Sequence, residues 1–158
     1  MTIEQIGILA AIYPATWGVA QLGTGGLSDR LGRKWLIVSG MWVQAAGLVW
    51  VGATSTFAGF AVGGVFMGVG TAMVYPTLLA AIADVAAPSW RGSALGVFRF
   101  WRDSGYVAGA VIAGLVADLF GFTSAIWLVA FLTCLSGVVV SMRLTETLGQ
   151  ISVTAART

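Results

Sequence analysis

A chain of 158 residues with 58% hydrophobic and 9% charged side chains cannot cover itself with a water-soluble surface, because soluble domains carry about 25% charged residues. The net charge of +2 comes from eight basic and six acidic groups, too few to suggest a nucleic-acid partner. Absent histidine and a single Cys134 exclude an internal disulfide, most zinc sites and the commonest general base, so no catalytic residue, metal site or cofactor is expected.

The bilayer is the solvent that fits this composition, and spanning helices need about 20 mostly apolar residues. Five such segments predict an all-α polytopic membrane protein. The first covers about 6–25, with Pro14 inside it and Glu4 where a cleavable leader would carry basic residues. The second covers 35–53. The third, 57–85, is long and carries Pro76 together with Gly59-x-x-x-Gly63 and Gly64-x-x-x-Gly68, spacings that favour tight helix crossing in lipid. The fourth covers 93–120 and has Gly105-x-x-x-Gly109 followed by Ala113 and Gly114. The fifth covers 123–144, and 145–158 is a polar tail.

Every Lys and Arg falls on one side of this topology: Arg30, Arg33 and Lys34 in the first loop, Arg91, Arg99 and Arg102 in or after the third, Arg143 and Arg157 after the last helix. The positive-inside rule then places the C-terminus in the cytoplasm and the N-terminus outside. Composition suggests a bacterial-type inner membrane.

The most informative stretch is Gly25 to Lys34, Gly-Gly-Leu-Ser-Asp-Arg-Leu-Gly-Arg-Lys, read as a charged turn between two spanning segments. It resembles the loop signature of the major facilitator superfamily of transporters, G-x-L-[AS]-D-R-x-G-R-[KR], which joins the second and third helices of each six-helix half. Gly25 or Gly26, Leu27, Ser28, Asp29, Arg30, Gly32, Arg33 and Lys34 fill it. The resemblance implies a loop that latches against neighbouring helices in one transport state and releases in the other. Asp84 and Arg91, with six residues between them, resemble the family's acidic-x6-Arg pattern, with Asp for the usual Glu. The implied network is Asp29, Arg30, Arg33, Asp84 and Arg91. The bland alternative is that these charges only set topology.

A third constellation is Arg99, Arg102 and Asp103. Asp103 lies on the order of 15 Å along the fourth helix, where an ionisable group must face protein or a watery cavity. Arg99 and Asp103 are four apart and share a helix face, so they can pair, leaving Arg102 to another partner. Such groups could bind an anionic substrate or carry coupling protons, or simply dock the helix end.

The family fold further implies that the first, third and fourth helices line the central path. Tyr13, Trp17 and Gln21 then form one stripe, Thr71 and Tyr75 a second, and Tyr106 continues the fourth helix. A stripe of this kind also serves interhelical hydrogen bonding. The fourth helix weakly resembles the family's antiporter motif, with Ala110 where that motif has proline.

Five helices and one loop motif amount to less than one six-helix half. Arg143-Leu-Thr-Glu-Thr-Leu resembles the ending after the twelfth helix, so the expectation is helices eight to twelve of a C-terminal half, with helices two to six as the alternative. The implied function is part of a secondary active transporter moving a small solute by alternating access. Its implied partners are the lipid bilayer, a missing N-terminal half, an unknown small-molecule substrate and coupling protons. The alternative is a non-transporting scaffold or accessory subunit derived from a transporter half.

Overall fold

A computed structural model describes residues 1–148. Its elements, in chain order, are α1 (Ile3–Leu31), α2 (Arg33–Ala53), α3 (Phe57–Val85), α4 (Arg91–Phe120) and α5 (Phe122–Arg143). Each is long and apolar enough to cross a membrane, and no strand occurs among the described residues. The protein is an all-α polytopic bundle.

The ends of the helices follow from local chemistry. α1 begins at Ile3 rather than near Ile6 because Thr2 and Gln5 form a reciprocal capping box: Thr2 Oγ1 accepts from the Gln5 N–H at 3.2 Å and Gln5 Oε1 accepts from the Thr2 N–H at 3.0 Å. α3 begins where Thr56 Oγ1 accepts the Gly59 N–H at 3.1 Å.

At its other end α1 continues through Gly25 to Leu31, so the motif stretch is helical and not a turn. Two interior glycines cost only about 1 kcal/mol each, and nothing before Gly32 forces the chain out of the helix. The break is Gly32 alone, at φ +89° and ψ 155°, a backbone region essentially restricted to glycine. Pro14 and Pro76 sit inside α1 and α3.

α3 is the hub. It packs along α1 on one side and α2 on the other, while α2 also packs on α5 and α4 packs mainly on α5 with a lighter contact to α3. Glycines make the close approaches possible. A β-carbon on Gly70 would lie 2.6 Å from the Gly40 carbonyl oxygen, and one on Gly68 would lie 2.8 Å from that of Tyr13. Small residues let backbones touch in this way, which is how helices associate without a hydrophobic driving force between them. Leu36, Ile37, Val38, Ala72 and Ala81 fill the buried centre.

α4 differs. None of its residues is buried, and added β-carbons on Gly105 and Gly109 would meet nothing within 4 Å. The small-residue spacing on α4 therefore makes no tight crossing among the described residues, although the same spacing on α3 does. Residues 145–148 of the tail fold back onto the start of α2, and residues 149–158, with Arg157, lie outside the described part.

Candidate functional site

Two clusters of polar side chains stand out. The first lies at the charged end of the bundle and is centred on Arg33, the first residue of α2. Arg33 Nε donates to Asp84 Oδ2 of α3 at 3.0 Å. Its NH1 pairs with Asp29 Oδ1 of α1 at 2.7 Å, one turn away, and also donates to Ser28 Oγ. The Arg33 side chain is only 11% exposed and Asp84 only 16%. Charge-assisted bonds in such surroundings are stronger than exposed ones.

The backbone of the same residue is held by a group far along the chain. α2 has no side-chain cap of its own, since its N-cap is Gly32. Glu146 fills that role: its Oε1 accepts the Arg33 N–H at 2.8 Å and its Oε2 accepts the Lys34 N–H at 3.1 Å. A carboxylate at a helix N-terminus satisfies orphan donors and complements the helix dipole. Burial works to raise the Glu146 pKa, but four backbone N–H groups, from Leu148, Arg33, Lys34 and Thr147, together pull it below its ordinary value of 4.5. Any side chain at position 32 would run into the Glu146 carboxylate. Thr147, itself buried, adds a 3.4 Å contact to Asp84 Oδ2.

Asp29, Gly32, Arg33 and Asp84 thus meet, joined by Ser28, Glu146 and Thr147. Other predicted members do not. Arg30 is exposed and makes no ion pair among the described residues. Gly25 lies in helix with open space beside it. The Lys34 ammonium sits over the neighbouring Trp35 ring at 5.3 Å while its N–H goes to Glu146. Asp84 pairs with Arg33 and not with Arg91. The non-helical segment 86–90 carries Arg91 on to the start of α4, where its buried Nε finds no partner among the described residues.

The second cluster is a ladder of side chains across α1, α3 and α4. Tyr13 Oη and Thr71 Oγ1 are 3.2 Å apart, and Gln44 Nε2 of α2 donates to the same Thr71 oxygen at 3.2 Å. The Tyr13 and Trp17 rings lie 6.4 Å apart, and Trp17 meets Tyr75 edge-on at 6.1 Å. Tyr75 then accepts from Arg102 NH1 at 2.6 Å, and the guanidinium carbon lies 5.1 Å from its ring centre. Arg102 Nε and NH2 both reach Asp103 Oδ1 at 2.8 Å.

Asp103 therefore pairs with its neighbour Arg102 rather than with Arg99, one turn back, which is exposed and makes no ion pair among the described residues. Arg102 points toward α3 and brings its fork within reach of both Tyr75 and Asp103. Gln21 and Tyr106 stay outside the ladder: Tyr106 is 70% exposed, and the Gln21 side chain has no described partner. Trp17 Nε1 is buried without an acceptor among the described residues. Gln44, a ladder member outside the stripe on α1 and α3, was signalled only as the single amide in α2.

A sequence profile described as Major Facilitator Superfamily matches residues 1–157. The chain belongs to the Major Facilitator Superfamily. It is similar to an MFS-type transporter of Methanocaldococcus jannaschii, 29% identical over 142 residues, covering 90% of this chain and 37% of the relative. It is also similar to the inner membrane transport protein YajR of Escherichia coli, 30% identical over 127 residues, covering 80% of this chain and 28% of that protein. A third relative is the quinolone resistance protein NorA of Staphylococcus aureus, 25% identical over 137 residues, covering 84% and 35%. The chain thus spans about a third of the length of the curated relatives it matches. Family membership and five apolar helices make it an integral membrane protein, related to transporters.

Proposed function

We propose that this chain forms part of a secondary active transporter that moves a small solute by alternating access, with the Arg33 cluster as a cytoplasmic latch. The observation that carries the reading is the position of Arg33. One guanidinium joins α1 through Asp29 and Ser28 to α3 through Asp84, and Glu146 holds the same residue's backbone. Ion pairs and charge-assisted hydrogen bonds can break and reform without unfolding a helix, unlike the glycine-packed contacts of α3. A latch of this composition suits a device that must close in one state and open in another.

The ladder supports the assignment of the solute path to α1, α3 and α4. Ionisable side chains in a spanning bundle point to a pathway, and Arg102 and Asp103 stand at the end of the Tyr13, Trp17 and Tyr75 run on these three helices. Alternating access needs two halves that rock about a central site, so the complete transporter includes a second half-bundle.

Uptake by the complete transporter tests the proposal. Arg33→Ala and Asp84→Asn should each lower the uptake rate by at least tenfold at unchanged membrane abundance, while Arg30→Ala has a smaller effect. Wild-type uptake by both Arg33→Ala and Asp84→Asn would remove the latch from the mechanism.

A further inference from the structure

α2 and α5, the two helices that the proposed solute path does not use, border an apolar groove. They run antiparallel, with the Trp42 indole against Gly137 and the Trp127 indole against Gly52. Between these two levels lies an open groove of about 520 Å³. α2 lines it with Trp42, Ala46 and Val49, and α5 with Trp127, Cys134 and Val138. No charged or amide side chain lines it. Its length along α5, from Trp127 to Val138, is about 16 Å at 1.5 Å per residue. An enclosed apolar cavity of about 150 Å³ takes up benzene, so on that scale the groove has room for roughly 20 carbons. That is the size of one acyl chain. A helix of the same length, about 10 Å across, displaces more than twice that volume.

The charged end of the bundle supplies a place for a headgroup. Trp35, Trp42, Ala46 and Val49 stand at i, i+7, i+11 and i+14 of α2, so the wall of the groove continues on one helix face to Trp35. Trp35 is exposed, and the Lys34 ammonium lies over its ring at 5.3 Å. α5 ends nearby with exposed Arg143, since Glu146, just beyond it, binds the Arg33 and Lys34 N–H groups. The groove begins about 13 Å from Arg33 along α2 and about 8 Å from Arg143 along α5. A chain seated in it therefore carries its headgroup out to the level of these cations.

The charges at this end are unevenly engaged. Asp29 and Asp84 pair with Arg33, and Glu146 accepts from four backbone N–H groups. Lys34 and Arg143 make no ion pair among the described residues. The charge left over is positive, and basic groups beside a membrane surface attract anionic lipid. A zwitterionic headgroup would bring an ammonium of its own up to Lys34. We propose that the α2–α5 groove holds one acyl chain of an anionic phospholipid, with the headgroup phosphate against Lys34 and the Trp35 ring beneath it.

The inference is independent of the solute path, and its test needs no transport. The detergent-extracted chain is given equal amounts of phosphatidylglycerol and phosphatidylcholine with identical acyl chains, and the retained lipid is weighed by native mass spectrometry. Phosphatidylglycerol should be retained about fivefold over phosphatidylcholine, the worth of one basic residue near an anionic surface. Lys34→Gln should remove that preference while a lipid is still retained. Ala46→Trp, at an exposed position, fills the groove and should abolish retention. Leu135→Trp, on exposed α5 surface outside the groove, should leave retention unchanged. Alkylation of Cys134, the single cysteine and exposed in the groove, with N-ethylmaleimide should displace the lipid from the unaltered, already folded chain. The proposal is overturned if neither lipid is retained, if both are retained equally, if Lys34→Gln keeps the preference, or if Ala46→Trp binds as the parent does. A dimer that takes the place of the lipid-bound monomer and disappears in Ala46→Trp would assign the groove to a second copy and overturn it as well.

Discussion

Gly32 carries two constraints at once, and they can be separated. Its φ of +89° costs any other residue about 1–3 kcal/mol, and a side chain there would also strike Glu146. Gly121, between α4 and α5, has nearly the same backbone, φ +86°, with open space beside it. Gly121→Ala should therefore cost the backbone strain alone. Gly32→Ala should cost that strain plus the Glu146 contact, about 1–2 kcal/mol more on the scale of a lost helix cap. Reversible unfolding of the two variants in mixed micelles gives the difference directly.

Glu146 sets a pH dependence whose sign follows from its depressed pKa. The folded carboxyl holds its proton less tightly than the unfolded one, so its stabilisation is complete above the ordinary value of 4.5 and is lost as pH falls through the lower folded value. Glu146→Gln should lose about 1–2 kcal/mol at neutral pH and show a shallower loss of stability on acidification, read from unfolding midpoints between pH 3 and 7. An unaltered acid slope would assign the effect to another carboxylate.

Among the elements, equal-looking glycines have opposite environments. On α3, Gly68 and Gly70 touch the backbones of α1 and α2, whereas on α4 Gly109 touches nothing. Gly70→Leu should cost 3 kcal/mol or more through overpacking against Gly40 and Gln44, and Gly109→Leu in this chain should lie within about 0.5 kcal/mol of the parent. Unfolding titrations of both variants check the contrast. The small-residue spacing was legible in the sequence for both helices. Whether a neighbour fills the groove was not, because that depends on which helix arrives and not on the spacing.

The same division holds for the charged residues. Apolar run length marked the five helices, since a spanning helix must be long and nearly uncharged. That Asp29, Arg33 and Asp84 belong to one network was implied by the loop motif and not by spacing, since Asp29 and Arg33 lie on either side of the Gly32 break. The helical form of Gly25–Leu31 was hidden, because glycines and four charges look like a turn until the one positive φ is located. Asp84's true partner stands 51 positions away in sequence, and the six-residue interval to Arg91 pointed elsewhere. Glu146 reaches Arg33 across 113 positions. The available hint was an uncapped α2 with only glycine before it, a helix start that must borrow an acceptor from somewhere.

At the scale of the whole molecule, stability should be graded. α1, α2 and α3 share the glycine-packed contacts, the buried centre and the Arg33 cluster, while α4 buries no residue and meets α3 lightly. Local opening follows the density of such contacts. Hydrogen exchange in detergent should therefore release the amides of α4 first and those in the centre of α3 last. Uniform exchange across all five helices would contradict this hierarchy.

The two prolines give the ladder a mechanical setting. Pro14 follows Tyr13 and Pro76 follows Tyr75, so each helix carries its proline beside a residue that touches the other helix's aromatic or hydroxyl group. A proline inside a helix lacks the N–H that would bond four residues back, which leaves the carbonyls of Ala10 and Ala72 without that bond. Each missing backbone bond lies beside a side-chain contact between α1 and α3. The rings and hydroxyls thus pin α1 to α3 at the two levels where each helix lacks a backbone hydrogen bond.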